Sequence, residues 1–566
     1  MNRRSFLQRS VGALPLLGWQ PLLAAADDRA RDRELAADVV IVGGGLGGCA
    51  AALAACRGGL RVVLTEETDW IGGQSTSQAV PPDEHPWIES FGCTRSYREY
   101  REAVRRFYRE HYPLTAEARA NPRLNPGNGW VSRICHEPRV SLAVLEQMLA
   151  PHVSSGRLRV LLEHEPVRAE VEGDWVRAVA VRGRETGRTV ILRAPYVVDA
   201  TELGDLLALT GTEHVIGAES RAETGEPHAR EQAAPESQQA ITWCFAIEHC
   251  PGETHTIDRP EEYGFWRGYV PEMTPPWGGP LFQWDLMDPK TLKKRPMIFD
   301  PTLKASGMNL WTYRRLIDPA QFLSGTYGSG YSLVNWPQND YWLGPIIGGT
   351  AEEVARHLDR ARQLSRSLLY WMQTEAPRPD GGTGWPGLRL CPGILGTADG
   401  LAKYPYIREA RRIRAEFTVK EQHVGTEARR QATGRAEGDV SAEVFADSVG
   451  IGAYRIDLHP STGKDNYLDL SSLPFQIPLG CLLPQRVENL LPAAKNIGTT
   501  HITNGAYRLH PVEWNIGESV GWLVVSALQR KEPPRQIRKD LKRRAEFQEL
   551  LRQRGIELEW PRVRPL

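Results

Sequence analysis

Proton transfer near neutral pH needs a group that can take the proton, and the carboxyl-terminal part of this sequence gathers several. IDLHP carries Asp457 and His459, His501 follows, and RLHPVEW supplies Arg508, His510 and Glu513. Imidazole is tuned for this task, and a guanidinium beside it stabilises the negative charge that develops when a hydroxyl or amine loses its proton. His510 and His459 are the candidate bases and Arg508 the charge stabiliser. Each histidine could equally be a hydrogen-bonded structural side chain, so the elements that position them decide.

The element best suited to hold a reacting partner lies near the other end. VVIVGGGLGGCAAA runs from Val39 to Ala52. A buried parallel strand is expected over 38–42, with Gly43, Gly45 and Gly48 in GxGxxG spacing and a small-residue helix ending at Gly58-Gly59. The first glycine permits a tight turn, the second lets a pyrophosphate approach the backbone, and the third lets helix and strand pack closely. A second strand, 60–65, delivers Glu66 where a ribose hydroxyl needs an acid, with Glu67 beside it. Strand, glycines, helix, strand and acid in this register point to a dinucleotide.

Three further stretches favour FAD over a nicotinamide. Gly72 and Gly73 make a second close backbone approach, and Gly73, Gln74 and Ser75 suit a loop that tracks an extended cofactor. After a β-meander over 167–171, 175–181 and 189–192, the strand 196–200 ends in DATELGD, close to a flavoprotein DATGxGD turn that contributes Asp205. Glu202 stands where that turn has glycine. Near the carboxyl end, NIGESVG resembles the late flavin motif, in which a helix N-terminus carrying Gly517 and Glu518 faces the flavin and stabilises negative charge on it.

ETDWIGGQ, CHEPRVSLAVLEQML, DATELGD, GTADGLAKYPYIREARRIR and NIGTTHITNGAYRLHPVEWNIGE together resemble the FAD-dependent oxidoreductase family related to the heterodisulfide reductase flavoprotein subunit and, more distantly, fumarate reductase flavoproteins. The resemblance covers most of 38–530. It implies an α/β fold: a Rossmann-like FAD-binding domain of the glutathione reductase and fumarate reductase type, β-meander included, with an inserted α+β substrate domain. The expected division is 38–211 and 441–530 for the FAD-binding domain, 212–440 for the insert, and 531–566 for a charged C-terminal helix or tail. Cofactor contacts carried over by motif are Gly43, Gly45, Gly48, Glu66, Gly73, Gln74, Ser75, Asp205, Gly517 and Glu518. His85 could tether the flavin covalently, as a histidine does in fumarate reductase relatives.

Composition narrows the partners. Across 566 residues, 69 basic side chains balance 69 acidic ones, leaving no basic field to attract nucleic acid. Arginines in the runs 411–414 and 538–544 are expected on solvated helix faces, although Arg408, Arg411 or Arg412 could bind an anionic substrate. The 8 cysteines form no CxxC, so neither a cluster nor another metal site is expected. MNRRSFLQRS followed by a short apolar stretch and AAA resembles a twin-arginine export signal over 1–26, which implies a periplasmic or secreted protein folded around its cofactor before export, with no stable membrane insertion. The insert holds no second strand-GxGxxG unit, so electrons are expected from a small-molecule substrate and leave to oxygen, a quinone or a redox protein. It is rich in tryptophan, with 17 in the chain against 12 Phe; the indoles suit core packing first and polyhydroxylated substrates second. Oxidation of a small polar substrate by hydride transfer is the expected activity, with isomerisation or elimination without net redox change as the alternative.

Overall fold

The computed structural model describes residues 34–288, 290–303 and 309–566. The export signal expected over 1–26 lies outside the described residues. Five short strands form one parallel sheet in the spatial order Leu490–Pro492, Tyr196–Asp199, Val39–Val42, Val62–Thr65, Leu158–Leu161. Val39–Val42 is buried throughout because both faces of the sheet are covered. Alternation along the strand divides the work: Val39 and Ile41 join the core beneath the helices, whereas Val40 and Val42 join a separate core with Val176, Val179, Val181 and Leu192. The latter come from a meander of His164–Glu172, Trp175–Gly183 and Thr189–Arg193, extended at its edge by Glu34–Ala36.

The helical face consists of Leu46–Arg57 laid against His510–Arg530. Alanine and glycine on the first helix bring the two backbones together. A Cβ on Gly517 would lie 2.0 Å from the carbonyl oxygen of Gly47, and one on Gly521 would lie 2.6 Å from that of Ala51. This corrects the expectation for the late motif. The helix begins at His510, so Gly517 sits inside it as a packing glycine rather than at its N-terminus. Glu518 accepts a 2.5 Å hydrogen bond from Ser96 on the helix Arg95–His111.

A second sheet is antiparallel, with the order Arg315–Ile317, Tyr331–Val334, Phe245–His249, Leu388–Leu390. The helix Ala351–Thr374 shares its core, where Trp243, Trp266, Trp311, Trp336 and Trp371 are buried. These indoles pack a core. The first arginine run differs from the expectation of a solvated helix face. Arg412–Ile413 is a strand paired with His214–Val215, and Arg412 is fully buried between Glu409 and Glu219. Arg538 bridges Asp447 and Glu416, and buried Ile537, Phe547 and Leu551 dock the last helices onto the main core. Among the described residues, no helix is long and apolar enough to cross a membrane.

Gly517→Val should destabilise the fold by about 3 kcal/mol or more, because the added atoms meet backbone that cannot yield. Urea unfolding checks this, and the loss should be the same with and without added FAD, since the glycine serves helix packing.

Candidate functional site

Four of the expected cofactor residues line one cavity of about 330 Å³: Gly43, Gly45, Glu66 and Asp205, together with Glu67, Thr201, Glu202, Tyr404 and Arg411. The turn between strand and helix leaves no room for side chains. Gly43 has φ +103°, and a Cβ there would lie 2.1 Å from the Ala200 carbonyl oxygen; one on Gly48 would lie 2.0 Å from the oxygen of Gly43. Gly48 thus sets the packing and stays out of the cavity lining. Glu66 accepts from the N–H of Gly44 at 2.9 Å and from the N–H and hydroxyl of Thr68 at 2.9 and 2.8 Å. Burial, aided by the Glu202 charge, pushes its carboxyl up to about 7, and burial raises Glu67 and Asp205 as well. Arg411 offsets this acidity through a 3.1 Å bond to Asp205.

Gly73–Ser75 forms a single 3₁₀ turn against the first. A Cβ on Gly73 would come within 3.0 Å of the Gly45 Cα and 2.6 Å of Glu202 Oε1. Glu202 is tolerated at a glycine position because Lys495, fully buried, pairs with its other oxygen. Burial opposes the Lys495 charge, but Glu202 and Glu513 outweigh it and raise its pKa. Glu513 accepts from the N–H of Gly47 at 3.1 Å and from Gln74 Nε2. Lys495 and Glu513 complete the turn, and nothing in their local sequence pairs them with residues so far away in the chain.

The residues present fit FAD. Thr65 Oγ1, Ser75 Oγ, Gln78 Nε2 and Glu202 Oε1 are buried without partners around the cavity and the glycine loop, a polar shell suited to hydroxyls and phosphate oxygens. Glu66 would hold the ribose, Gly43 and Gly45 the pyrophosphate, and the loop from Gly73 to Ser75 the remainder.

Gln74 connects this region to a second cavity of about 300 Å³. Its Nε2 donates to the Arg508 carbonyl at 2.9 Å, and its Oε1 accepts from Tyr406 at 3.1 Å. Tyr406, Arg508 and His459 all line the second cavity, with Asp83, Tyr313, Arg314, Asn335, Arg408, Asp457 and Tyr467. Arg508 donates to Asp457 at 3.0 Å. His459 donates from Nδ1 to Asp340 at 2.6 Å, and its Nε2 lies 3.6 Å from Asp457. Burial opposes ionisation of both Asp457 and Asp340, yet His459 and Arg508 hold Asp457 well below the usual carboxylate range, and Arg408 and His459 lower Asp340.

His510 does not join them. It is fully buried, its Nδ1 accepts from the N–H of Asp83 at 3.2 Å, and its Nε2 donates to the Val80 carbonyl at 3.1 Å. Burial pushes it down to about 4, so it is neutral at pH 7 with both nitrogens committed. Its expected role as a base is corrected to a clamp on the segment 80–83. His85 bonds the Gly92 carbonyl at 2.9 Å and packs edge-on against Trp560, and it lines neither cavity.

Residues 38–551 match the family model of FAD dependent oxidoreductases, and the chain belongs to that family. It is an FAD-dependent oxidoreductase family enzyme, and its cofactor is FAD. No curated protein matches the chain. Among solved structures, a geranylgeranyl bacteriochlorophyll reductase-like protein from Thermoplasma acidophilum aligns over 92% of this chain and 85% of its own, at 11% identity and a TM-score of 0.31. The L-proline dehydrogenase from P. horikoshii aligns over 32% of this chain and 24% of its own, at 17% identity and a TM-score of 0.16. The glycerol-3-phosphate dehydrogenase from Bacillus halodurans, complexed with FAD, aligns over 38% and 39%, at 13% identity and a TM-score of 0.21. This chain therefore spans less than two thirds of the length of either dehydrogenase.

The depressed pKa of His510 has a consequence for stability. Between pH 6.5 and 4 the unfolded chain takes up a proton that the folded one refuses, so stability is present above 6.5 and falls as the pH drops towards 4. The fall from this residue is about 3 kcal/mol. Urea midpoints measured across that range should decline, and His510→Gln should be less stable at pH 7 but show a shallower decline.

Proposed function

We propose that the protein is an exported oxidoreductase that removes a hydride from a small polar substrate in the second cavity, with His459 as the base. The observation that carries this reading is His459, held by buried Asp340 and lining the same cavity as the two residues, Tyr406 and Arg508, that contact the cofactor loop through Gln74. FAD, when bound, supplies the hydride acceptor. Asp340 fixes the His459 tautomer by accepting from Nδ1, which leaves Nε2 to take the hydroxyl or amine proton of the substrate. Arg508 stabilises the charge that develops as the proton leaves. Tyr406 and Gln74 hold Arg508 in register with the loop.

Electrons then pass to oxygen, a quinone or a redox protein. Support for this route is the lack of a second strand-GxGxxG unit in the sequence. Export by the twin-arginine route, to the periplasm or beyond, is supported by MNRRSFL and the AAA that follows. Kinship with the heterodisulfide reductase flavoprotein rests on the shared motifs, without its iron–sulfur ligand spacings. The division into 38–211, 212–440 and 441–530 rests on the separate tryptophan-rich core around the second sheet.

Anaerobic mixing of the yellow protein with sugars, polyols, amines and hydroxy acids tests the reading. At least one class should bleach the flavin, and His459→Gln should retain FAD while bleaching about 10²–10⁴-fold more slowly. A variant that bleaches at the parental rate would remove His459 from the role. Turnover of a compound without bleaching would favour isomerisation or elimination instead.

A further inference from the structure

The polar shell of the second cavity is short of acceptors. Six of its lining residues carry buried atoms without a hydrogen-bond partner: Arg314 Nε, Asn335 Nδ2, Trp336 Nε1, Arg408 Nε, Tyr467 OH and Arg508 Nε. Each of the six can donate, and five can do nothing else. All six residues are at least nine-tenths buried. Unpaired donors of this kind are costly, and several around one cavity are unusual for a packed core.

The aspartates beside the three arginines meet them through terminal nitrogens. Asp83 takes both terminal nitrogens of Arg314, at 2.9 and 3.3 Å. Asp340 is shared by Arg408, Thr242 and His459, and Asp457 accepts from Arg508. Each aspartate engages the terminal N–H groups of its arginine and leaves Nε unfilled. A polyol brings as many donors as hydroxyls, and the orphaned N–H groups cannot receive them. A carboxylate brings two oxygens, four lone pairs and no donor, which matches what the three guanidiniums and Asn335 leave open.

We propose that the second cavity takes an organic acid, its carboxylate bound by Arg314, Arg408 and Arg508 with Asn335. The proposal rests on the reading of this cavity as the oxidation site and narrows its substrate class. The commitment of Arg408 also answers the sequence expectation that this residue could bind an anion. Arg412, by contrast, is spent on Glu409 and Glu219.

The test uses FAD-loaded protein and two probes of similar size, malonate and glycerol, followed by titration calorimetry and by the flavin absorbance spectrum. Malonate should bind and shift the spectrum, and glycerol at equal concentration should do neither. Asn335→Asp keeps an oxygen for Arg408 but replaces the orphaned donor with negative charge, and should weaken malonate at least tenfold. Arg408→Lys keeps the cation and removes Nε, and should weaken it similarly. Circular dichroism confirms that each variant is folded, and one folded variant suffices. Glycerol binding in place of malonate, or malonate binding undisturbed by a folded variant, would overturn the proposal. In the bleaching screen, reduction by polyols and not by hydroxy acids would also overturn it while leaving oxidation in this cavity intact. Malonate binding with the expected variant losses, but no bleaching by any compound, would keep the acid class and defeat the oxidation reading.

Discussion

Everything in this molecule hangs on backbone meeting backbone where the first helix leaves the parallel sheet. Gly43 abuts Ala200, Gly48 abuts Gly43, and Gly47 abuts both Ala493 and Gly517, at separations no Cβ could share. The contact joins four segments: the first strand and helix, the turn after Tyr196–Asp199, the turn after Leu490–Pro492, and the long helix His510–Arg530. Fixing them together places Glu66 and Asp205 around one cavity and brings Glu513 to the N–H of Gly47. The small residues of the first helix, met by Gly517 and Gly521 of the long one, are the condition for that approach.

From this junction a polar chain leads to the second cavity. Glu513 and the Arg508 carbonyl both hold Gln74, and Gln74 holds Tyr406. Arg508, Asp457, His459 and Asp340 follow in turn. The long helix therefore has two tasks. Its body packs on glycine and alanine, while its first turn and the residues just before it bridge the cofactor loop to the proposed chemistry. His510, at the start of that helix, clamps the segment 80–83, which carries Asp83 to Arg314.

What was legible in the sequence follows from how local each signal is. The strand, the first glycines and Glu66 fall within one βαβ unit, so spacing alone identifies their roles. Gly517 was misplaced because a glycine inside a helix and one at its start look alike when the helix boundary is unknown. Choosing between His459 and His510 was beyond the sequence for a different reason. The groups that decide it, Asp340 for one and Val80 and Asp83 for the other, are 119 to 430 residues away and carry no motif. Glu202 looked like an obstacle until Lys495 was seen beside it. The insert's tryptophans are largely core, as their size and apolar faces suggest, although Trp336 also borders the second cavity.

As proposed, FAD would run from Glu66 past Gly73 with its reacting end at the cavity containing His459. A crystal structure of the FAD-loaded protein measures this directly. The account requires the adenine ribose at Glu66, the pyrophosphate at Gly43 and Gly45, and the isoalloxazine between Gln74 and the Tyr406–Arg508 side of the cavity. An isoalloxazine lying away from that cavity, with His459 out of reach of any substrate stacked on it, would contradict the account.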